Sequence, residues 1–477
     1  MIRKILLINP FKLSGNQPNI GVDPVVSRHV GQEIKTGVTF PIGLAYMAST
    51  LLEAGFEVKL LDPIAESITI ERIYQESEWA DAIVLPFSAT HADDVRQYRS
   101  DFRRKFFVLG GGYAHHIADW LFNEDLGDVI LCGEPEYTIV DLMRAHPNYQ
   151  NVLGIIYKDG KKIVRTPARP LLMDLDKLPF PARHLANPKN YWEIMFLGEP
   201  TAWILPSRGC PYDCIFCAQY DLNRRRVRYR SAKNIVDEIE EAVQKYKVKN
   251  FVFFDETFNF NDEFVISVCS EILKRGLKIK WWCAARADRV KADIVRLMKK
   301  AGCIELRFGL ESANDEILKF MKKGETVVQI RRGLEITRKE GMNFSLQCIF
   351  GSPMESEKTI ENTMRFIKEM KPLFVSFNVL TPLPGSQLYE QLKNKLKPED
   401  MKSFDILHTR YPLGRYSGEE LNQIIKKAYI GYYLSFAFGL KMLEQAFKNP
   451  KLVFGLTKML LKQAFYVYRS ILRKREI

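Results

Sequence analysis

Cys210, Cys214 and Cys217, in the run Cys-Pro-Tyr-Asp-Cys-Ile-Phe-Cys, have the type and spacing to do chemistry. Thiolates separated by three and then two residues, on one short loop, can hold three corners of a [4Fe–4S] cluster. A fourth cysteine close by would seal the cluster as an electron carrier, but the next one is Cys269. An iron left open can take a ligand of its own, which points to reaction at the cluster rather than electron storage. A zinc site would ask for four ligands, usually in two pairs. No second Cys or His pair follows at such a spacing.

The elements that must position this loop read as alternating strands and helices. From about residue 200, strands are predicted at 202–206, 250–254, 279–285, 304–310, 344–350 and 373–379, with helical stretches between them. Six such units suggest a partial parallel (β/α)6 barrel, in which sites gather at the carboxyl ends of strands. The cysteine loop directly follows the first of these strands. Later strand ends carry Asp255-Glu256-Thr257, Gly309-Leu-Glu311-Ser312, Gly351-Ser-Pro353-Met-Glu355 and Pro382-Leu-Pro384-Gly385. Neighbouring residues on a strand face opposite ways, so Glu256 ranks above Asp255 as the carboxylate aimed at a ligand.

Upstream, apolar runs at 4–9, 56–62, 82–86, 106–109 and 129–131 alternate with helical patterns such as 41–55. This is the pattern of a doubly wound, Rossmann-like α/β domain, whose ligands lie beyond the carboxyl ends of its strands. Two of those ends run into Gly110-Gly111-Gly112 and Gly133-Glu134-x-Glu136. The expected division is a first domain at 1–150, a linker at 151–195, a core at 196–390 and a helical basic region at 391–477.

The cysteine spacing resembles that of the radical S-adenosylmethionine (SAM) superfamily, and the ordered strand ends strengthen the likeness. Pro41-x-Gly43-Leu44-Ala45, Leu61-Asp62, the three glycines, Gly133-Glu134-x-Glu136 and Leu178-Pro-Phe-Pro-Ala-Arg183 resemble the branch with a cobalamin-binding domain. That branch includes anaerobic Mg-protoporphyrin monomethyl ester cyclase and enzymes that modify hopanoid and archaeal lipids. The resemblance implies a [4Fe–4S] cluster on Cys210, Cys214 and Cys217, with SAM chelated at the open iron. It also implies reductive cleavage to a 5′-deoxyadenosyl radical, which abstracts hydrogen, and a low-potential electron donor. Glu256, Gly309, Glu311, Ser312 and Gly351 would contact SAM, and Gly110, Gly111 and Gly112 would contact cobalamin. The implied outcomes are methylation, cyclisation or carbon–carbon bond formation. One departure is the absence of an Asp-x-His-x-x-Gly element to supply an axial histidine to cobalt. His91 is a lone loop histidine after a strand. Two alternatives stay open: a radical SAM enzyme whose first domain binds substrate and no cobalamin, and a non-catalytic iron–sulfur protein.

Composition sets the surroundings. The chain has 477 residues, 46% hydrophobic and 27% charged, with a formal net charge of +13. Eight cysteines in this length make no disulfide framework, and a reducing cytoplasm is expected. Arg224-Arg225-Arg226-Val-Arg228-Tyr-Arg230 reads either as anion recognition at the site mouth or as a solvated basic run. In the tail, Ser417-Gly-Glu-Glu420 opens a helix and Asn449-Pro450 another. From there Lys451, Lys458, Lys462, Arg469 and Arg473 share one helical stripe, opposite Val453, Leu456, Leu460, Ala464, Val467 and Ile471. Such a helix could pack on the barrel, or lie on an anionic membrane surface. The second reading makes the protein peripheral on the inner face of the membrane and its substrate hydrophobic or lipidic. Nucleic acid is not expected as a partner.

Overall fold

Short apolar runs alternating with amphipathic stretches build two sheets, seen in a computed structural model that describes residues 2–9, 37–87, 91–196, 198–219, 223–396, 400, 411–448, 450 and 453–454. The first sheet contains β1 (Lys4–Ile8), β2 (Glu57–Leu61), β3 (Ala82–Pro86), β4 (Phe106–Gly110) and β5 (Val129–Leu131). These pair in parallel in the order β2-β1-β3-β4-β5. Parallel strands buried on both faces need continuous apolar sequence, and all five residues of β4 are buried. Helices α1 (Ile42–Glu53), α2 (Ile70–Trp79) and α3 (Ala92–Asp101) link successive strands from β1 to β4, and α4 (Pro135–Ala145) follows β5. The order reverses between β1 and β3, and in open sheets of this kind ligands lie beyond the carboxyl ends at the switch point.

Residues 155–165, within the stretch read as a linker, form a hairpin that continues this sheet. Its strands β6 (Ile155–Asp159) and β7 (Lys162–Arg165) pair antiparallel across a two-residue turn, with Gly160 at φ +58°. Asp159-Gly160 between two alternating runs was the available signal.

The second sheet runs β8 (Thr201–Ile204), β9 (Asn250–Phe253), β10 (Lys280–Ala285), β11 (Cys303–Glu311), β12 (Asn343–Phe350) and β13 (Val375–Val379). Its order is sequential and every pairing is parallel, giving the expected partial barrel. Alternation sorts its two faces. Phe251, Phe253, Trp281, Cys283, Leu306 and Phe308 pack under the outer helices, which include α5 (Ala232–Tyr246) and α6 (Asp262–Lys274). Trp203 and Val252, on the other face, join the apolar core of the first domain. The open edge of β13 is closed by α7 (Gly418–Tyr433), which begins at the expected Ser417 capping box. Tyr433 and Tyr429 hydroxyls accept the backbone N–H groups of Val375 and Phe377, each at 3.1 Å. An edge strand that would otherwise invite another chain is thereby satisfied.

The arginine run divides: Arg224, Arg225 and Arg226 are exposed, as a solvated basic run would be, while Arg228 and Arg230 depart from both expected roles. Arg230 pairs with Glu238 on α5, and Arg183 of the Leu178–Arg183 segment meets the same carboxylate at 2.7 Å. Arg228 pairs with Glu134 of the first domain at 2.9 Å. Arg228 and Arg230 are therefore buried structural cations rather than free groups at a mouth. Beyond α7, α8 (Phe436–Lys448) is described, whereas the amphipathic stretch expected over 449–477 lies outside the described residues except 450, 453 and 454. Among the described residues, no helix is long and apolar enough to cross a membrane.

Candidate active site

The cysteine loop is the connection within a small antiparallel hairpin, Ser207–Arg208 with Arg228–Tyr229, at the carboxyl end of β8. Its two arms pass so close at Gly209, where φ is +101°, that any Cβ would fall on the carbonyl oxygen of Arg226. Further along, Ile215 N–H donates to Met321 O at 3.1 Å, and Leu388 N–H donates to Ile215 O at 2.9 Å. Gln387 and Arg225 both hold Asp213, and the Arg286 guanidinium lies 3.5 Å from the Tyr212 ring centre. The loop is thus tied to three separate parts of the barrel. All three cysteines are free thiols and partly exposed. Burial pushes the Cys214 thiol up to about 12, with nearby Lys323 opposing that rise, and burial raises Cys217 as well. Among the described residues, no three His, Cys, Asp or Glu side chains close on a single metal-ion position.

In the turn beyond β9 the two carboxylates take different partners. Asp255 is buried, accepting from the Ser207 hydroxyl at 2.5 Å and the Thr257 N–H at 2.8 Å. Glu256 accepts from the Gly209 N–H and contributes to the electrostatics of Cys217. Burial first, then the charge of Asp255, holds its carboxyl up at about 7.

On β11, Glu305, Arg307, Gly309 and Glu311 share the inner face, because Leu306, Phe308 and Leu310 take the outer core. At the bottom Arg307 pairs with Glu193 at 2.8 Å and Glu305 at 3.2 Å. At the top Glu311 adopts φ +57° after a shift in strand register, a conformation that costs a non-glycine residue roughly 1–3 kcal/mol. Lys323, buried, holds it at 3.0 Å and also faces Glu325 at 3.6 Å. A Cβ on Gly309 would meet Lys323 Nζ at 2.8 Å and Glu311 Oε1 closer still. Gly309→Ala should therefore push this pair aside. We expect about a tenfold rise in the SAM concentration needed for half-maximal binding, with a smaller loss of thermal stability, measured by calorimetric titration and melting.

The remaining sequence-selected residues lie nearby but not all toward the open space. The Ser312 hydroxyl accepts from Asn314 at 3.1 Å and faces Thr363 at 3.5 Å, so it is engaged in a buried network. Gly351, at φ +95°, turns the chain after β12 beneath Leu421 of α7. Glu355 folds back on that turn, accepting from the N–H groups of Gly351 and Ser352 and the Thr359 hydroxyl, while its Oε2 has no partner. Burial holds its carboxyl at about 7. Because that is above the ordinary value of 4.5, the associated stability is full below pH 4.5 and drains as pH rises to about 7. Thermal melting of the metal-free protein should accordingly fall across this range, and Glu355→Gln should flatten the fall.

In the first domain, Gly110, Gly111 and Gly112 end β4, with Gly111 and Gly112 exposed at the carboxyl edge. Gly111 has φ +111°, and Gly133, after β5, has φ +71° with nothing within 4 Å of a would-be Cβ. A Cβ on Gly111 would instead meet the Phe87 carbonyl oxygen at 3.3 Å, so of these two turns it is Gly133 whose backbone faces open space. His91 is buried at the start of α3. The two carboxyl edges meet: a Cβ on Gly385, in the loop after β13, would lie 2.7 Å from Nε2 of His116 in the loop after β4.

Two family models match in this order, the B12 binding domain over residues 35–143 and the radical SAM superfamily over residues 204–367. The chain carries a B12-binding domain followed by a radical SAM domain. It is 29% identical to an uncharacterized methyltransferase of Pyrococcus horikoshii, over 83% of this chain and 88% of that protein. It is 28% identical to the anaerobic magnesium-protoporphyrin IX monomethyl ester cyclase of Cereibacter sphaeroides, over 80% of this chain and 64% of that protein. The chain thus spans a little under two thirds of the cyclase. Among solved structures, the radical SAM methyltransferase TsrM of Kitasatospora setae, described with cobalamin and a [4Fe–4S] cluster bound, shares the fold. Its TM-score is 0.65 at 18% identity, covering 83% of this chain and 75% of that one.

The radical SAM core also gathers charged groups that the motifs do not reveal. Lys323, Arg286 and Glu325 surround Glu311 and the cysteine loop, with Arg286 Nη2 3.4 Å from Glu325 and Arg286 Nη1 donating to Lys323 O at 2.9 Å. No periodicity marks them. Lys323-Gly-Glu325 reads as an ordinary turn after a short helix, and only the return of that turn over β11 places it here.

Proposed function

We propose that this chain is a cobalamin-dependent radical SAM enzyme that methylates or cyclises a hydrophobic small molecule. The observation that carries the reading is the meeting of two carboxyl edges: the loop with three thiols on one side, the glycine turns of a B12-binding domain on the other. The donor set fits the group it would hold, since Cys210, Cys214 and Cys217 supply three thiolates and leave one corner free. When bound, these groups supply an electron for SAM cleavage and a cobalt centre for carbon transfer.

The chain's own residues do the rest. The three cysteines anchor the cluster. Glu256, Gly309, Glu311 and Gly351 line the place for SAM, with Ser312 supporting them through Asn314 and Thr363. Gly110, Gly111 and Gly112 let the backbone approach cobalamin. Glu256, held near 7, can accept a hydrogen bond or hold a proton at its carboxyl beside the Gly209 N–H. A low-potential donor supplies the electron.

A hydrophobic, lipid-derived substrate and attachment to an anionic membrane face go together. They are supported by Phe436, Leu440, Leu443 and Phe447, which form one exposed stripe along α8, Phe436 being 82% and Phe447 91% exposed. Leu434 and Ile430 extend the stripe at the end of α7, close in sequence to Lys426 and Lys427. Replacing Phe436, Leu443 and Phe447 together with serine should abolish co-sedimentation with phosphatidylglycerol vesicles. Unchanged pelleting would remove the membrane reading.

The decisive experiment is anaerobic reconstitution with iron, sulfide and hydroxocobalamin, followed by metal analysis and assay of SAM with a strong reductant. Iron near four and cobalt near one per chain, together with 5′-deoxyadenosine or S-adenosylhomocysteine, are expected. A cobalt-free protein of full activity would leave a radical SAM enzyme without cobalamin, and no SAM turnover would leave a non-catalytic iron–sulfur protein.

A further inference from the structure

We infer that Glu134 is a positioning residue that locks the cysteine loop to the ligand edge of the B12-binding domain, so that occupancy of one site stiffens the other. The inference rests on the proposed function for its ligand arm only. Glu134 follows Gly133 in the loop that ends β5, at the start of α4. Both its oxygens are used: Arg208 Nη1 at 3.0 Å, Arg228 Nη1 at 2.9 Å to each oxygen, and the Leu172 N–H at 2.9 Å. Arg208 and Arg228 are cross-strand partners in the hairpin that closes the cysteine loop. One carboxylate therefore grips both arms of the loop at its root.

The grip continues in both directions. Arg208 also binds Glu136 at 2.5 Å and lies 5.7 Å from the Tyr46 ring centre on α1. Arg228 reaches Leu172 O at 2.8 Å and Asn223 at 2.9 Å. One residue past Arg208, the Gly209 N–H donates to Glu256, and Cys210 follows. A chain of bonds thus runs from the end of β5 to the cysteine and carboxylate of the second site. The chain's carboxylates and guanidiniums are largely buried, where an ion pair is weakly screened and loss of one partner strands the other.

The test is hydrogen–deuterium exchange on the whole protein, with and without hydroxocobalamin. In Glu134→Gln, exchange over residues 209–219 should rise about tenfold while β12, at 343–350, stays as in the parent, because the opening is local. Hydroxocobalamin should slow exchange over 209–219 by about threefold in the parent and leave Glu134→Gln unaffected. Unchanged exchange over 209–219 in the variant would overturn the inference. So would an equal rise in β12, which marks a general stability role, or a parent that binds hydroxocobalamin without slowing. A parent that binds none defeats the proposed function instead, and the ligand-free arm still decides the lock. Should Glu134→Gln not fold, Arg228→Gln removes one of the two gripping arginines and carries the same comparison.

Discussion

Cys214→Ala is expected to abolish SAM cleavage, lowering 5′-deoxyadenosine formation by about a thousandfold or more, to the level without enzyme. The loss follows from the donor count. Three thiolates on one loop hold three irons, and the next cysteines, Cys269, Cys283, Cys303 and Cys348, are all buried in the apolar core of the barrel. The readouts are iron content, visible absorbance and mass spectrometry of the nucleoside. Burial holds the Cys214 thiol up at about 12, so in the metal-free loop this thiol keeps its proton at neutral pH. Loading must release protons, so cluster assembly should speed up as pH rises from about 7 to 9. Retention of iron and turnover in Cys214→Ala would overturn the assignment of the loop. A folded, iron-free protein is the expected product, since the loop is tied down by Met321 and Leu388 independently of metal.

Gly209→Ala is the second large effect, and it arises from backbone rather than ligands. The new Cβ would sit on the carbonyl of Arg226, a backbone atom that cannot swing away, at a φ of +101° that side chains rarely adopt. Strain of this kind alone costs roughly 1–3 kcal/mol. One kcal/mol corresponds to roughly 2–4 °C in melting temperature for a domain of 150–250 residues, so a fall of several degrees is expected in the apo protein. The functional loss should be larger, because the arms of the loop must separate to make room. That separation pulls the Gly209 N–H from Glu256 and displaces Cys210 directly. Iron retained after desalting should drop by about tenfold. A variant that melts and binds iron like the parent would show that the two arms are not held in contact in solution.

Strand positions were largely legible because a buried parallel strand can only be a short apolar run. The run read at 279–285 is β10 at Lys280–Ala285, and 344–350 is β12 at Asn343–Phe350. The β6–β7 hairpin was missed although Asp159-Gly160 announced it, because its strands are polar on their exposed side. Asp255 and Glu256 were legible as strand-end carboxylates, but both lie beyond the last residue of β9, so strand alternation does not assign their directions. The buried partners of Arg228 and Arg230 were not legible. A guanidinium in a basic run looks the same whether it faces solvent or a carboxylate from another domain.

Sequence by itself determined the chemistry available here: three thiols at a cluster spacing, strand ends rich in glycine and carboxylate, and a preceding doubly wound domain. Those are local properties, written in residue type and period. Tertiary structure alone decided which charges are spent and which are left for ligands. Lys323 became the partner of Glu311, Ser312 was drawn into a network with Thr363, and Glu134 came to hold both arms of the cysteine loop. The physical reason is that a buried charge must find its counterpart wherever the chain's folding brings one, and that distance has no signature along the sequence.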